Sequence, residues 1–273
     1  MCDKQINLKN LNDKELQGEN PKFFRDGKEF TNRVDSELDS SKYLKDILLS
    51  NIESFGNKWD MHLPVFLTAP SLARILWLDH VYKKSIDVPG RFLEFGSQWG
   101  SSLNIFMILK MIYEPWNISR PIVSFSTFEE GFVSIVKEDG DISKLGDYSV
   151  SDNWKPKLNT LLNQHAYRSP VGAEKNYQLI EGDASKTFPQ WLKDNPEAVI
   201  SHAHFDMDVY QPTYDVLKLI ISRMPKGAIL IFDEINCPAF PGETLALHEV
   251  LGINNLKLRK STFQPYSAYC LIE

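Results

Sequence analysis

Acids spaced for metal or proton chemistry stand out first in this chain. The run His202-Ala203-His204-Phe205-Asp206-Met207-Asp208-Val209-Tyr210 ends an apolar stretch with acids at alternate positions. Alternation along a strand places Asp206 and Asp208 on one face. Further on, Ile229-Leu230-Ile231-Phe232-Asp233-Glu234 ends a second apolar stretch with an adjacent acidic pair. If both stretches are neighbouring parallel strands, the four carboxylates converge at one sheet edge. Crowded carboxylates raise one another's pKa unless a cation neutralises them. A hard divalent ion with oxygen ligands, most simply Mg²⁺, meets that need. His202 and His204 alternate with the acids; one reads as a satisfied structural histidine and the other as facing the site. A zinc centre has no support, because neither an HExxH pattern nor a close cysteine accompanies them. His165 is a further, weaker candidate, while His62, His80 and His248 read as helix or connection residues.

A glycine turn supplies a second kind of chemistry. In Leu93-Glu94-Phe95-Gly96-Ser97-Gln98-Trp99-Gly100-Ser101-Ser102 a short apolar strand gives way to a helix. Helix N-termini after parallel strands offer free N–H groups to ligands. The dinucleotide fingerprint GxGxxG is absent, which disfavours NAD. Glu94 stands where an acid can pair with a ligand's ammonium group. Ser126-Thr127-Phe128-Glu129 and Gly182-Asp183-Ala184 fall at two later strand ends, where a ribose contact and an adenine contact complete a nucleoside pocket. Asp183 also suits the N-cap of the helix that follows.

The elements that must position these residues follow an alternating pattern. RFLEFG, PIVSFSTF, YQLIEG, AVISHAHFDMDVY and AILIFDEIN read as strands, with helices at SSLNIFMILKMIY, KTFPQWLKDN and TYDVLKLIISRM. Strands alternating with helices predict a doubly wound α/β fold with a mostly parallel sheet. LKLRKSTF and SAYCLIE, joined at Gln264-Pro265, predict a closing antiparallel hairpin. We divide the chain into a polar N-terminal arm over 1–40, expected to be partly disordered, a helical extension over 41–89, and an α/β domain over 90–273. Ser40 or Ser41 is the expected cap of the first extension helix and Gly56 its stop. Thr68 is the expected cap of a second helix through Leu72, Ile75, Leu76, Leu78 and Tyr82. Trp59 to Leu67 reads as a buried connection between them. The alternation stops over about 132–176, a polar insertion with a helix expected around Pro156 to Gln164. Long polar insertions in compact domains are commonly functional lids.

Composition narrows the function classes. Thirty Lys and Arg against 36 Asp and Glu give a net charge of -6, which argues against a nucleic-acid partner. No apolar run is long enough to span a bilayer, and the polar start lacks a signal peptide's apolar segment. Three cysteines form no framework, so a cytoplasmic location is expected.

With these residues in view, the stretch from about Gly90 onward resembles class I S-adenosylmethionine-dependent methyltransferases. It is most similar to the macrocin O-methyltransferase family, which methylates sugar hydroxyls with a divalent metal. Four ordered segments carry the resemblance: Glu94 to Ser102, Ser126 to Phe132, Phe205 to Thr213, and Lys226 to Glu234. The resemblance implies a Rossmann-like fold and cofactor contacts from Glu94, Gly96, Ser97, Gly100, Ser101, Ser102, Ser126, Thr127, Phe128, Asp183, Ala184 and Asp206. It implies that Asp206, Asp233 and Glu234 hold Mg²⁺ or another divalent cation. Asp208 is the expected general base, with His204 or His202 as the alternative. Three positions depart from the family pattern. Ser126 replaces a ribose-gripping Asp, for which Thr127 or Glu129 can substitute; the acidic pair is Asp-Glu; and Asn236 stands where some relatives carry a histidine base.

The expectation is a Mg²⁺-dependent O-methyltransferase acting on a sugar, nucleotide-sugar or glycoside in polysaccharide or natural-product biosynthesis. A vicinal diol, amine or phosphoramidate acceptor is the alternative enzyme reading. A non-catalytic S-adenosylmethionine-binding protein is the alternative of another class. The polar arm and exposed helices permit a homo-oligomer.

Overall fold

The computed structural model describes residues 24–26, 29–31, 34–169 and 176–273. The rest of the polar arm, where disorder is expected, lies outside them. The chain divides between Leu67 and Thr68 into two compact units. In the first, strands β1 (Phe24–Asp26) and β2 (Glu29–Thr31) pair antiparallel and precede α1 (Asp35–Asn51) and the short α2 (Trp59–His62). Helix α1 starts before the expected serine cap. Glu37 reaches back to accept from the Val34 N–H at 3.0 Å, and Asp35 and Glu37 suit the positive end of the helix. The helix ends at Asn51, and Gly56, at φ +58°, kinks the 3₁₀ segment that follows. Trp59 to Leu67 is not the expected buried connection: Trp59, Met61, Val65 and Leu67 are exposed.

The second unit begins with α3 (Ala69–Tyr82), capped by Thr68 as expected. This second helix of the expected 41–89 extension thus belongs to the α/β unit. Then follow β3 (Arg91–Phe95), α4 (Ser101–Tyr113), β4 (Ile122–Ser126), α5 (Trp154–Ala166), β5 (Tyr177–Glu181) and α6 (Ala184–Asp194). The chain continues with β6 (Ile200–Phe205), α7 (Tyr210–Ile220), β7 (Ile229–Phe232), α8 (Gly242–Leu251), β8 (Arg259–Lys260) and β9 (Ala268–Leu271). The sheet order is β5-β4-β3-β6-β7-β9-β8, parallel from β5 to β7, with β9 antiparallel to β7 and β8 antiparallel to β9.

Strands β3, β4, β6 and β7 bury both faces. Leu93, Phe95, Ala203, Phe205, Leu230 and Phe232 pack with Phe188 and Trp191 of α6, Val216 of α7 and Leu247 of α8. On the other face Phe92, Ile229 and Ile231 pack with Trp77 and Val81 of α3, Phe106 of α4 and Leu158 of α5. Because β3 has β4 on one side and β6 on the other, the strand order reverses there, and a crevice opens at their carboxyl ends. Among the described residues no single helix is long and apolar enough to cross a membrane.

Gly96 makes that crevice. It has φ +97°, and a Cβ there would lie 1.8 Å from the Asp206 carbonyl oxygen. The turn after β3 therefore passes against the end of β6 without a side chain between them.

Candidate active site

A pocket at the strand ends is lined by Gly96, Ser97, Ser101 and Ser102, by Ser126, Thr127 and Phe128, by Asp183 and Ala184, and by Asp206 and Asp208. These come from the ends of β3, β4, β5 and β6, as the sequence predicts. Glu94 and Gly100 are the two predicted cofactor positions that do not line it. Gly100 has φ +84°, and a Cβ there would strike the Leu158 side chain, so its role is to let α5 close on the turn. Glu94 is fully buried, with neither carboxylate oxygen hydrogen-bonded, 3.6 Å from His204 Nδ1. Asp183 caps α6 by accepting from the Ser185 N–H at 2.9 Å. Ser126 Oγ accepts from the Phe128 N–H at 3.3 Å, and the Thr127 hydroxyl donates to the Gly131 carbonyl at 2.6 Å. Glu129, the other candidate for that ribose contact, does not line this pocket. Its Oε1 accepts from the Trp154 N–H at 2.8 Å, at the start of α5.

The acids converge, but not by strand alternation. Strand β6 stops at Phe205, and Asp208 adopts φ +62° in the loop beyond it. Strand β7 stops at Phe232, one residue before Asp233. Ligand atoms of His204, Asp206 and Asp233 lie within 4.8 Å of one another, and Glu234 is outside that trio. Its Oε2 is buried without a hydrogen-bond partner. Burial, with the charges of Asp233 and Asp206 adding to it, lifts Glu234 to about 7 against the Cys237 hydrogen bond.

Arg74, which the sequence reading passed over, sits among these acids. Its Nη2 donates to Asp206 Oδ2 at 2.9 Å, and its Nη1 pairs with Asp233 Oδ2. Asp233 Oδ1 lies 3.3 Å from His204 Nε2 and accepts from the Ser267 hydroxyl at 3.4 Å. Burial alone would raise the Asp233 pKa, but Arg74 and His204 hold it below the ordinary carboxylate range. Asp206 goes the other way, because burial and the charge of Asp233 outweigh Arg74. Burial would lower His204, yet Asp233 and Glu94 raise it to about 10. His204 is fully buried and is not among the residues that line the pocket.

His202, the other histidine alternative, does not line the pocket either. It is fully buried beneath the pocket, with Nε2 3.0 Å from the Tyr82 carbonyl and the Ser85 hydroxyl and Nδ1 3.1 Å from Arg120. Burial and then the Arg120 charge push its pKa to about 3, so it stays neutral. Between pH 6.5 and 3 the unfolded chain holds a proton here that the folded chain lacks, so stability falls as pH drops through that window. From this group the protein is expected to lose roughly 2 kcal/mol between pH 8 and pH 5. Urea unfolding at both pH values checks this against His202→Gln, which should lack that component of the slope.

Glu243 of α8 is a second residue that motif reading missed. Fully buried, its Oε1 accepts from the N–H groups of Met207 at 3.1 Å and Asp208 at 3.3 Å, while Oε2 accepts from that of Glu234 at 3.1 Å. One carboxylate thus ties together the two loops that carry the acids. Glu243→Gln would turn an amide N–H₂ toward one of these N–H donors and is expected to cost about 1–3 kcal/mol, measured by urea unfolding.

The insertion forms a wall of the pocket through Phe132, Val133, Ser134 and Tyr148. It is packed in place: Asp139 Oδ1 accepts from the Tyr210 N–H at 2.6 Å, and Trp154 Nε1 donates to the Trp99 carbonyl at 3.2 Å. Tyr148 stands over the acids, and burial followed by the charges of Asp208 and Glu234 raises its phenol. His165 lies on α5, outside the pocket lining.

Comparison with known proteins decides the family. A crystal structure of CalS11, a calicheamicin methyltransferase, is 33% identical, covers 91% of this chain and 95% of its own, and superposes with a TM-score of 0.82. The chain belongs to the class I S-adenosylmethionine-dependent methyltransferases. An apo structure of CalS11, described as a TDP-rhamnose 3'-O-methyltransferase of calicheamicin biosynthesis, is 32% identical over 88% of this chain and 96% of its own, with a TM-score of 0.77. The O-methyltransferase NovP shares the fold at 15% identity, over 73% of this chain and 79% of its own, with a TM-score of 0.53. No protein-family model and no curated protein matches the chain. In this methyltransferase the pocket lies at the strand ends, where open parallel sheets bind ligands.

Proposed function

We propose that this methyltransferase moves the methyl group of S-adenosylmethionine to a hydroxyl of a sugar or nucleotide-sugar, as in macrocin-type O-methyltransferases. The setting would be polysaccharide or natural-product biosynthesis. The observation that carries the reading is the likeness at 33% identity, over 91% of the chain, to an enzyme whose acceptor is a TDP-sugar. In this reading Ser126 and Thr127 meet the ribose, Asp183 and Ala184 border the adenine, and the turn from Gly96 to Ser102 holds the amino-acid end.

The donor set suits a hard divalent cation. Asp206 and Asp233 present carboxylate oxygens within 4.8 Å, and Mg²⁺ commonly takes one or two carboxylates plus substrate oxygens. Asp206 and Asp233 would hold it, with Glu234 beside them, and when bound it supplies Lewis acidity to the acceptor hydroxyl.

Asp208 is the base. It lines the pocket, and burial with the charges of Glu234 and Asp233 raises its carboxyl well above the ordinary carboxylate range. Asp208 takes the hydroxyl proton as the acceptor oxygen attacks the methyl carbon. The C–O bond forms as the C–S bond breaks, leaving a neutral thioether. Phe132 and Tyr148 of the insertion keep water from the acceptor side. Incubation with S-adenosylmethionine, Mg²⁺ and a panel of TDP- and UDP-sugars, read by mass spectrometry, should give a singly methylated sugar. Asp208→Asn should lower kcat by about 10²–10⁴ with little change in cofactor affinity. Methylation of none of the sugars, with turnover of a catechol or amine instead, would contradict the acceptor class.

A further inference from the structure

A cation already serves the acids proposed to hold the metal. Arg74 bridges Asp206 and Asp233, and His204 takes the remaining oxygen of Asp233. A dication placed against the same oxygens would face the Arg74 guanidinium at contact distance. Guanidinium cannot relieve that repulsion by losing a proton, so it has to move. The structure gives it room. Its side chain is 22% exposed, it lines the pocket, and its Nη2 also donates to the Ser102 hydroxyl at 3.1 Å, at the start of α4.

We propose that Arg74 is a resident counter-cation that competes with the divalent metal for Asp206 and Asp233, so that the metal enters only as Arg74 swings off the pair. This rests on the metal reading above. Without a metal, Arg74 keeps the two acids from repelling each other and holds the β6 and β7 ends together. With one, the same acids change partner. The arrangement weakens apparent metal affinity by the fraction of time the bridge is open: a bridge closed nine-tenths of the time costs about tenfold.

Manganese binding tests this directly. Mn²⁺ is titrated into the full chain in the presence of S-adenosylhomocysteine, and free ion is counted by electron paramagnetic resonance. Arg74→Gln should bind Mn²⁺ at least about tenfold more tightly than the wild type. Arg74→Lys, which keeps one charge but cannot span both acids, should fall between them. Equal or weaker binding by Arg74→Gln, with the wild type binding normally, overturns the competition and leaves the metal site standing. Absence of Mn²⁺ binding in both proteins, while S-adenosylhomocysteine still binds, overturns the competition together with the metal reading. If Arg74→Gln does not fold, Arg74→Lys decides: tighter binding than wild type supports the proposal, and unchanged binding overturns it.

Discussion

Asp233→Asn is expected to lower methyl transfer about 10³-fold and to destabilise the fold in the same variant. Asp233 is 7% exposed and meets Arg74 on one oxygen, His204 and Ser267 on the other. Removing one partner of a buried ion pair leaves the others uncompensated and costs about 3–5 kcal/mol. Here two cations lose a partner at once. The rate effect has a separate origin, because in the proposed mechanism Asp233 would help hold the cation that activates the acceptor hydroxyl. A 10³-fold loss corresponds to about 4 kcal/mol of lost transition-state stabilisation. Initial rates and urea unfolding on the same preparations separate the two effects. A folded Asp233→Asn enzyme with wild-type turnover would remove Asp233 from the site.

Among the described glycines, Gly96→Ala is expected to have the largest effect on stability. The new Cβ would fall 1.8 Å from the Asp206 carbonyl oxygen and 2.5 Å from its carbon, both backbone atoms, and the residue holds φ +97°. The turn and the β6 end cannot both stay where they are. Phe95 accepts from the Asp206 N–H at 2.9 Å, and Phe125 accepts from the Gly96 N–H at 2.8 Å, so a shift also breaks ladder bonds. A loss of at least about 3 kcal/mol is expected, with weakened cofactor binding. Gly146 is the control: φ is +81° with nothing within 4 Å, so Gly146→Ala should cost only about 1–2 kcal/mol of backbone strain. Similar losses in both variants would contradict the close approach.

The α/β pattern was legible because apolar runs bounded by glycine turns leave little choice in a covered parallel sheet. SSLNIFMILKMIY became α4 from Ser101 to Tyr113, and the C-terminal hairpin formed as expected. The pocket was legible too, since ligand crevices follow the strand ends. What failed were inferences that depended on phase and on partners. Of the apolar residues that marked α3, Leu72 and Leu76 are exposed while Leu78 and Tyr82 are buried. The buried stripe is Trp77, Leu78, Val81 and Tyr82, and Arg74 precedes it at the same helical spacing. A lone cation on that stripe was the available signal for Arg74. Glu243 left none, because its importance lies in three backbone N–H groups distant in sequence. His202 and His204 share a strand face and a residue type, and only their neighbours, Arg120 for one and Asp233 with Glu94 for the other, give them opposite charge states.

The central claim is that the crevice between the glycine turn and the β4 and β5 ends is a working S-adenosylmethionine site. Calorimetric titration of the full chain with S-adenosylhomocysteine measures this directly. Saturable heat at one site per chain is expected, with binding retained in Asp208→Asn. Absence of heat, with no rise in melting temperature at saturating ligand, would contradict it.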